Sequence, residues 1–280
     1  MTPVRPGTRR PAWSEAFGRE RRSLLSRRGP IAVDRATVFG DSDGRGVTVA
    51  VVDSGIERDH PAVGGRVVRG VRVVLDGARP RVVDDDDRTD PVGHGTACAG
   101  IIHALAPAAE LVSVRVLGPD NKAPGILFAA AIEWLVAESV PVANLSLSSR
   151  KEALFAAFHD LADAAYFGNT LLVCAANNLP GPSYPSLFAS VVSVAAHDIP
   201  DPWTWFYNAE PPVEFGAWGV DVPVAWNRGG RIVATGNSLA APHIAGLAAL
   251  VRQTHARATP FEVKALLAAT ASSALAGPAD

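Results

Sequence analysis

Sulfur is scarce in this chain: two cysteines and one methionine in 280 residues. Two thiols cannot form the multi-bridge framework that staples small secreted domains. Cys98 and Cys174 both lie inside apolar segments and are expected to be buried and free. No stretch of about 18 or more apolar residues occurs, which leaves no candidate membrane span. The basic N-terminus is followed by no apolar segment of about 7–15 residues, the mark of a secretory signal, so a cytoplasmic location is the expectation. A net charge of −2 offers no general excess of either sign to hold nucleic acid or an anionic membrane. Neither G-x-G-x-x-G nor G-x-x-x-x-G-K-[ST] follows the first buried strand, Val47–Val52, and no phosphate cradle is predicted.

What the chain does have is apolar periodicity. With 48% hydrophobic and 19% charged residues it reads as globular. Strand-like runs at Val47–Val52, Leu111–Val116, Val142–Leu147, Thr170–Ala175 and Val191–Ala195 alternate with helix-like segments at Thr96–Ala106, Ile126–Glu138 and Lys151–Tyr166. Two more helices are predicted at Leu239–His255 and Pro260–Ala269. Such alternation builds parallel βαβ units, and nearly continuous apolar strands are covered on both faces. The fold class is α/β: three layers, α/β/α, around a mostly parallel central sheet.

Residues 1–30 stand apart as a basic extension, with eight arginines against two glutamates. Either the segment is a solvated arm, or Trp13, Phe17, Leu24 and Leu25, at near-helical spacing behind a candidate N-cap at Ser14, make a short helix that docks on the body or grips a partner. The acidic run Asp84–Asp87, flanked by Arg81 and Arg88, reads as a solvated loop. The alternatives for it are weak cation binding or a preference for basic substrate residues.

Three stretches carry chemistry. The strand Val47–Val52 ends on Asp53, and sites in parallel sheets form at the carboxyl ends of strands. His94 sits between two glycines at the mouth of an apolar helix, where the ring can remain accessible. Ser238 opens a helix apolar on nearly every face, with unpaired N–H groups and the positive dipole end beside it. Pro242 is expected to fall near the first turn, where a missing N–H costs least. Taken singly, each has a plain reading: a strand-ending turn residue, a structural histidine, an N-cap serine. His243 and His255 are read as core or surface histidines. An α/β-hydrolase elbow at Gly236–Ala240 fails, because its acid and histidine must follow the serine and only about forty residues do.

Taken together, DSG at Asp53–Gly55, GHGT at Gly93–Thr96 and GNSLAAPHIAG at Gly236–Gly246 resemble the subtilisin-like serine proteases. APAAEL at Ala106–Leu111, VRVLG at Val114–Gly118, NLSL at Asn144–Leu147 and AANN at Ala175–Asn178 extend the resemblance, which runs from about Ile31 to about Leu275. It implies a peptidase domain over residues 31–280, with Ser238 as nucleophile, His94 as base then acid, Asp53 as orienter of the imidazole and Asn178 as side-chain oxyanion donor. Leu147, Ser148, Ala176, Asn177 and Ser183 are implied to line the substrate cleft.

Several departures from the family pattern refine this expectation. Asn237 replaces the usual Thr before the nucleophile. Ser148, Asn177 and Ser183 stand where many relatives have Gly, so the primary pocket is expected to be small and polar. The calcium loop that many relatives insert after the histidine helix is absent, and Ala62 occupies a usual Asp ligand position; neither a metal nor any cofactor is expected. Cys98 resembles a buried, inert thiol of some members. The segment before Asp53 is too short for the usual prodomain. These features imply a narrow-specificity processing protease acting on a peptide or protein substrate, such as a precursor peptide that contacts the basic arm. The alternatives are a broad degradative protease and a catalytically silent peptide-binding relative.

Overall fold

A computed structural model describes residues 11, 12, 14, 18, 33–210 and 212–272 of the chain. The helical spacing of Trp13, Phe17, Leu24 and Leu25 lies outside the described residues. In chain order the regular elements begin with α1 (Arg35–Phe39), β1 (Thr48–Asp53), β2 (Val67–Asp76), β3 (Arg79–Asp84), α2 (His94–Leu105) and β4 (Glu110–Arg115). They continue with α3 (Gly125–Ala137), β5 (Val142–Leu145), α4 (Phe155–Phe167), β6 (Leu171–Ala175) and β7 (Val192–His197). The last third holds β8 (Phe206–Tyr207), β9 (Phe215–Trp218), β10 (Val222–Trp226), β11 (Gly230–Ala234), α5 (Asn237–Thr254) and α6 (Pro260–Ala269).

Nine strands form one sheet in the order β3-β2-β4-β1-β5-β6-β7-β9-β8. Its pairs are parallel except at the two edges, β2 with β3 and β8 with β9. Alternation along β1 sets the layers. Val49 and Val51 pack with α2, α5 and α6 on one face, while Ala50 and Val52 pack with α3 and α4 on the other. The expected three-layer architecture is the one observed.

After β1 the chain moves outward to β2, β3 and β4, then returns across the sheet to β5 and continues through β6 and β7. Strand order therefore reverses between β1 and β5, and a crevice opens at the carboxyl ends of strands at such a switch point. Asp53, Ser146 and Asn178 all lie where β1, β5 and β6 end at this edge.

Two local features differ from expectation. The Asp84–Asp87 run is only partly solvated: Asp84 ends β3, and Asp85 is buried with its carboxylate 3.1 Å from Arg115 Nε. Asp87 pairs with the same guanidinium at 2.9 Å, so these charges are spent on structure. Pro242 lies on the sixth residue of α5, deeper than the first turn. Its missing N–H leaves the carbonyl of Ser238 without a helical partner, and that carbonyl becomes part of the site.

Candidate active site

β1 delivers Asp53, fully buried, to the crevice. α2 begins on His94, and two glycines allow it. Gly93 adopts φ 100°, a left-handed conformation that disfavours side chains, and a β-carbon at Gly95 would lie 2.0 Å from the Gly55 carbonyl. His94 Nδ1 lies 2.8 and 2.9 Å from the two carboxylate oxygens of Asp53. Its Nε2 lies 2.9 Å from Ser238 Oγ. A carboxylate only accepts, so Nδ1 carries the proton and Nε2 is left to receive one from the serine.

Burial pushes the His94 imidazole toward its neutral form, yet the Asp53 charge and hydrogen bond, helped by Asp90, outweigh it and hold its pKa above the ordinary value. Asp90 escaped the sequence reading. It is buried and accepts from the N–H groups of Val92 (3.0 Å), Gly93 (2.8 Å) and Thr96 (2.9 Å) and from the Thr96 hydroxyl (2.8 Å). Ser54 Oγ, 2.8 Å away, joins it to the Asp53 neighbourhood. An acid just before an apolar helix was the available signal, since carboxylates favour helix N-termini.

The Ser238 end is built with equal economy of groups. The Ser238 carbonyl orphaned by Pro242 accepts from Ser146 Oγ at 2.8 Å, with Cys98 Sγ at 3.6 Å. Burial and the Asp53 charge keep the Cys98 thiol protonated, well above its usual pKa. Asp53, His94 and Cys98 are the one group of metal-ligand types that converges among the described residues. A thiol held protonated is a poor metal ligand, and the set is better suited to proton transfer. Both cysteines are free and buried.

Asn178 Oδ1 accepts from the N–H of Asn237 at 2.9 Å, which turns its Nδ2 into the available donor. A β-carbon at Gly236 would lie 3.2 Å from Ser238 Oγ and 3.5 Å from Asn178 Nδ2, so this glycine keeps open the space beside both. Among the described residues the N–H of Ser238 has no partner. Two donors thus flank the serine oxygen, the arrangement an oxyanion requires. Asn237 is fully buried: its Oδ1 accepts from Ala196 N–H at 2.9 Å, and its Nδ2 lies 3.1 Å from the Ala176 carbonyl and 3.0 Å from that of Ala12. It is therefore a clamp between loops and makes no free oxyanion contact.

The adjoining cleft, about 400 Å³, is lined by Leu147, Ser148, Ala176 and Asn177 together with His94, Asn178 and Ser238. Ser148 Oγ and Asn177 Nδ2 come within 3.5 Å, narrowing the wall between them. Ser183 does not line the cleft, contrary to expectation. It is fully buried, with its hydroxyl 3.2 Å from the Asn177 N–H and 2.7 Å from Ser186 Oγ, and so supports the wall from behind.

Residues 44–279 match the model of the subtilase family. The alkaline serine exoprotease A of Vibrio alginolyticus is 34% identical over 239 residues, 82% of this chain and 43% of that protein. Subtilisin BL of Lederbergia lenta is 32% identical over 82% of this chain and 85% of its own length. An intracellular serine protease of Paenibacillus polymyxa is 29% identical, covering 81% of this chain and 72% of the relative. The chain thus spans less than half of the first of these relatives and most of the other two. A solved structure of a cold-adapted subtilisin-like serine proteinase superposes with a TM-score of 0.67 at 26% identity, over 85% of this chain and 88% of that one. No described helix is long and apolar enough to cross a membrane. By sequence and by fold, the chain belongs to the subtilase family of subtilisin-like serine proteases.

Proposed function

We propose that Ser238, His94 and Asp53 hydrolyse peptide bonds as a nucleophile, base and orienter, with Asn178 and the Ser238 N–H binding the oxyanion. The carrying observation is the unbroken row of contacts, 2.8 Å from Asp53 to His94 and 2.9 Å from His94 to Ser238. Oγ forms a bond to the carbonyl carbon while its proton passes to Nε2, and the tetrahedral oxyanion falls between the two donors. The C–N bond then breaks as His94 protonates the departing amine. Water, deprotonated by the same nitrogen, attacks the acyl-enzyme and frees Ser238. Asp53 stays ionised and stabilises the imidazolium of each step.

The protease is a narrow-specificity processing enzyme, with residues 31–280 as its peptidase domain and residues 1–30 as an extension that meets a precursor peptide. The contact between Ser148 and Asn177 supports a shallow, polar pocket that favours a small or polar residue before the scissile bond. The hydrogen bonds of Ala12 to Asn178 and Asn237 support a role for the extension in substrate contact, since both partners lie beside Ser238. A cytoplasmic place of action is supported by two unpaired thiols and by the relative that is an intracellular serine protease.

Incubation with a diverse peptide mixture, followed by mass-spectrometric mapping of cut sites, tests this. Cleavage at few sites, after small or polar residues, is expected. Cleavage of denatured casein at many sites, or a preference for Phe or Leu before the cut, would overturn the narrow specificity.

A further inference from the structure

We propose that Lys122 and Lys151 make the cleft select peptides with an acidic side chain on the acyl side of the scissile bond. This deepens the endopeptidase reading and rests on it.

The cleft beside Ser238 is lined by two lysines and by no aspartate or glutamate. Both lysines are exposed, and among the described residues neither ammonium is engaged in an ion pair or hydrogen bond. Their backbones are nevertheless fixed. Lys122 closes a tight loop, its carbonyl accepting from Gly118 N–H at 3.0 Å and its own N–H donating to Asp120 Oδ1 at 3.3 Å. Lys151 follows a two-way bridge in which Ser149 and Tyr184 exchange N–H bonds of 2.9 and 2.8 Å, and its carbonyl accepts from Leu154 N–H at 3.0 Å. Two cations are therefore rooted at fixed points of the wall, with their tips free to reach a ligand.

The remainder of the wall sharpens their effect. Leu117, Ala123, Phe128 and Leu147 present low-dielectric surface, which concentrates the field of nearby charges. Asp120, the nearest acid in sequence to Lys122, turns a carboxylate oxygen back into its own loop and does not line the cleft. The Asp84–Asp87 run, which would have favoured basic substrates, does not line the cleft either, and Asp85 and Asp87 are paired with Arg115. Among the residues that line the cleft, a substrate carboxylate meets two positive charges and no negative one, and a substrate lysine meets two like charges.

Each exposed pair is worth about two- to fivefold, so the two together give on the order of tenfold at low ionic strength. The test uses the full chain and a peptide set with Asp, Asn or Lys placed singly at each of four positions before a fixed scissile bond. At one or more positions kcat/KM should rank Asp over Asn over Lys by about tenfold from first to second, shrinking in roughly 0.5 M salt. K122E/K151E should reverse the ranking, and K122Q/K151Q should abolish it. Fluorescence polarisation of the same peptides on Ser238→Ala protein reads the charge ranking without turnover. Charge-ranked binding with no cleavage of any peptide by the parent chain would sink the proteolytic reading and leave the charge selection standing. Asp and Asn peptides equal within about twofold at every position, in cleavage or in binding, would overturn the proposal.

Discussion

The backbone N–H of Ala12 donates to the carbonyl of Asn178 at 3.0 Å. Since Asn237 also holds the Ala12 carbonyl at 3.0 Å, Ala12 braces the loop that carries the proposed oxyanion donor. Removing residues 1–18 should lower kcat by about three- to tenfold with a smaller change in KM, the value of one or two hydrogen bonds lost from a positioned group. Steady-state kinetics on a neutral peptide decides it. A rise in activity on truncation would show that the segment obstructs the cleft instead of supporting it.

Replacing Asn178 by Ala should cost about 10²- to 10³-fold in kcat with KM little changed, a figure known for such a donor in subtilisin and carried over here. The residue is exposed and, among the described residues, bonds the fold only through its Oδ1 to Asn237 N–H and its backbone carbonyl. Folding should therefore survive, as thermal melts would verify. A loss below about threefold would remove Asn178 from the oxyanion site.

Ser146→Ala leaves the Ser238 carbonyl, which Pro242 deprives of a helical donor, with only the weak Cys98 thiol at 3.6 Å. Losing the main partner of a buried acceptor costs about 1–3 kcal/mol, which denaturant unfolding should detect. The start of α5 should also loosen, and kcat should fall about tenfold while KM moves less. Ser146→Thr keeps the hydroxyl and should recover part of both losses. Full activity in Ser146→Ala would show that the bond does not position the nucleophile.

The raised pKa of His94 sets the pH profile. The imidazole must be neutral to accept the serine proton, so kcat/KM should rise with pH along a limb lying above 6.5, its ordinary value. The protonated ring is favoured by the fold, so its contribution to stability is present below about 6.5 and fades as pH rises past the raised value. Asp90→Asn removes one of the charges that raise it and should move the limb toward lower pH, with some loss of stability because Asp90 also caps α2. An unmoved limb would separate Asp90 from the electrostatics of the site.

Much of this was legible along the chain. The five central strands register as nearly continuous apolar runs because both faces of the sheet are covered, and the four longest helices register as helix-like segments between and after them. α6 spans Pro260–Ala269, the bounds expected from the sequence, and in the structure a Thr259–Glu262 capping box marks its start. The outer hairpin of β2 and β3 was missed, because its alternation is diluted by Arg69, Arg72, Arg79 and Arg81, and half of its side chains face solvent. Asp53, His94, Ser238 and Asn178 could be picked out by their motifs, whereas an acid ahead of an apolar helix signals a helix N-terminus but not that Asp90 is buried under five donors. Ser183 was misplaced for a related reason: sequence position puts it on the pocket loop, and only the fold turns its hydroxyl inward to Asn177 and Ser186.

The most direct measurement of the central claim is covalent labelling by a fluorophosphonate, with the modified residue identified by mass spectrometry. One label is expected, on Ser238, abolished in Ser238→Ala and strongly slowed in His94→Ala. Labelling elsewhere, or a Ser238 that stays unreactive in folded protein, would contradict it.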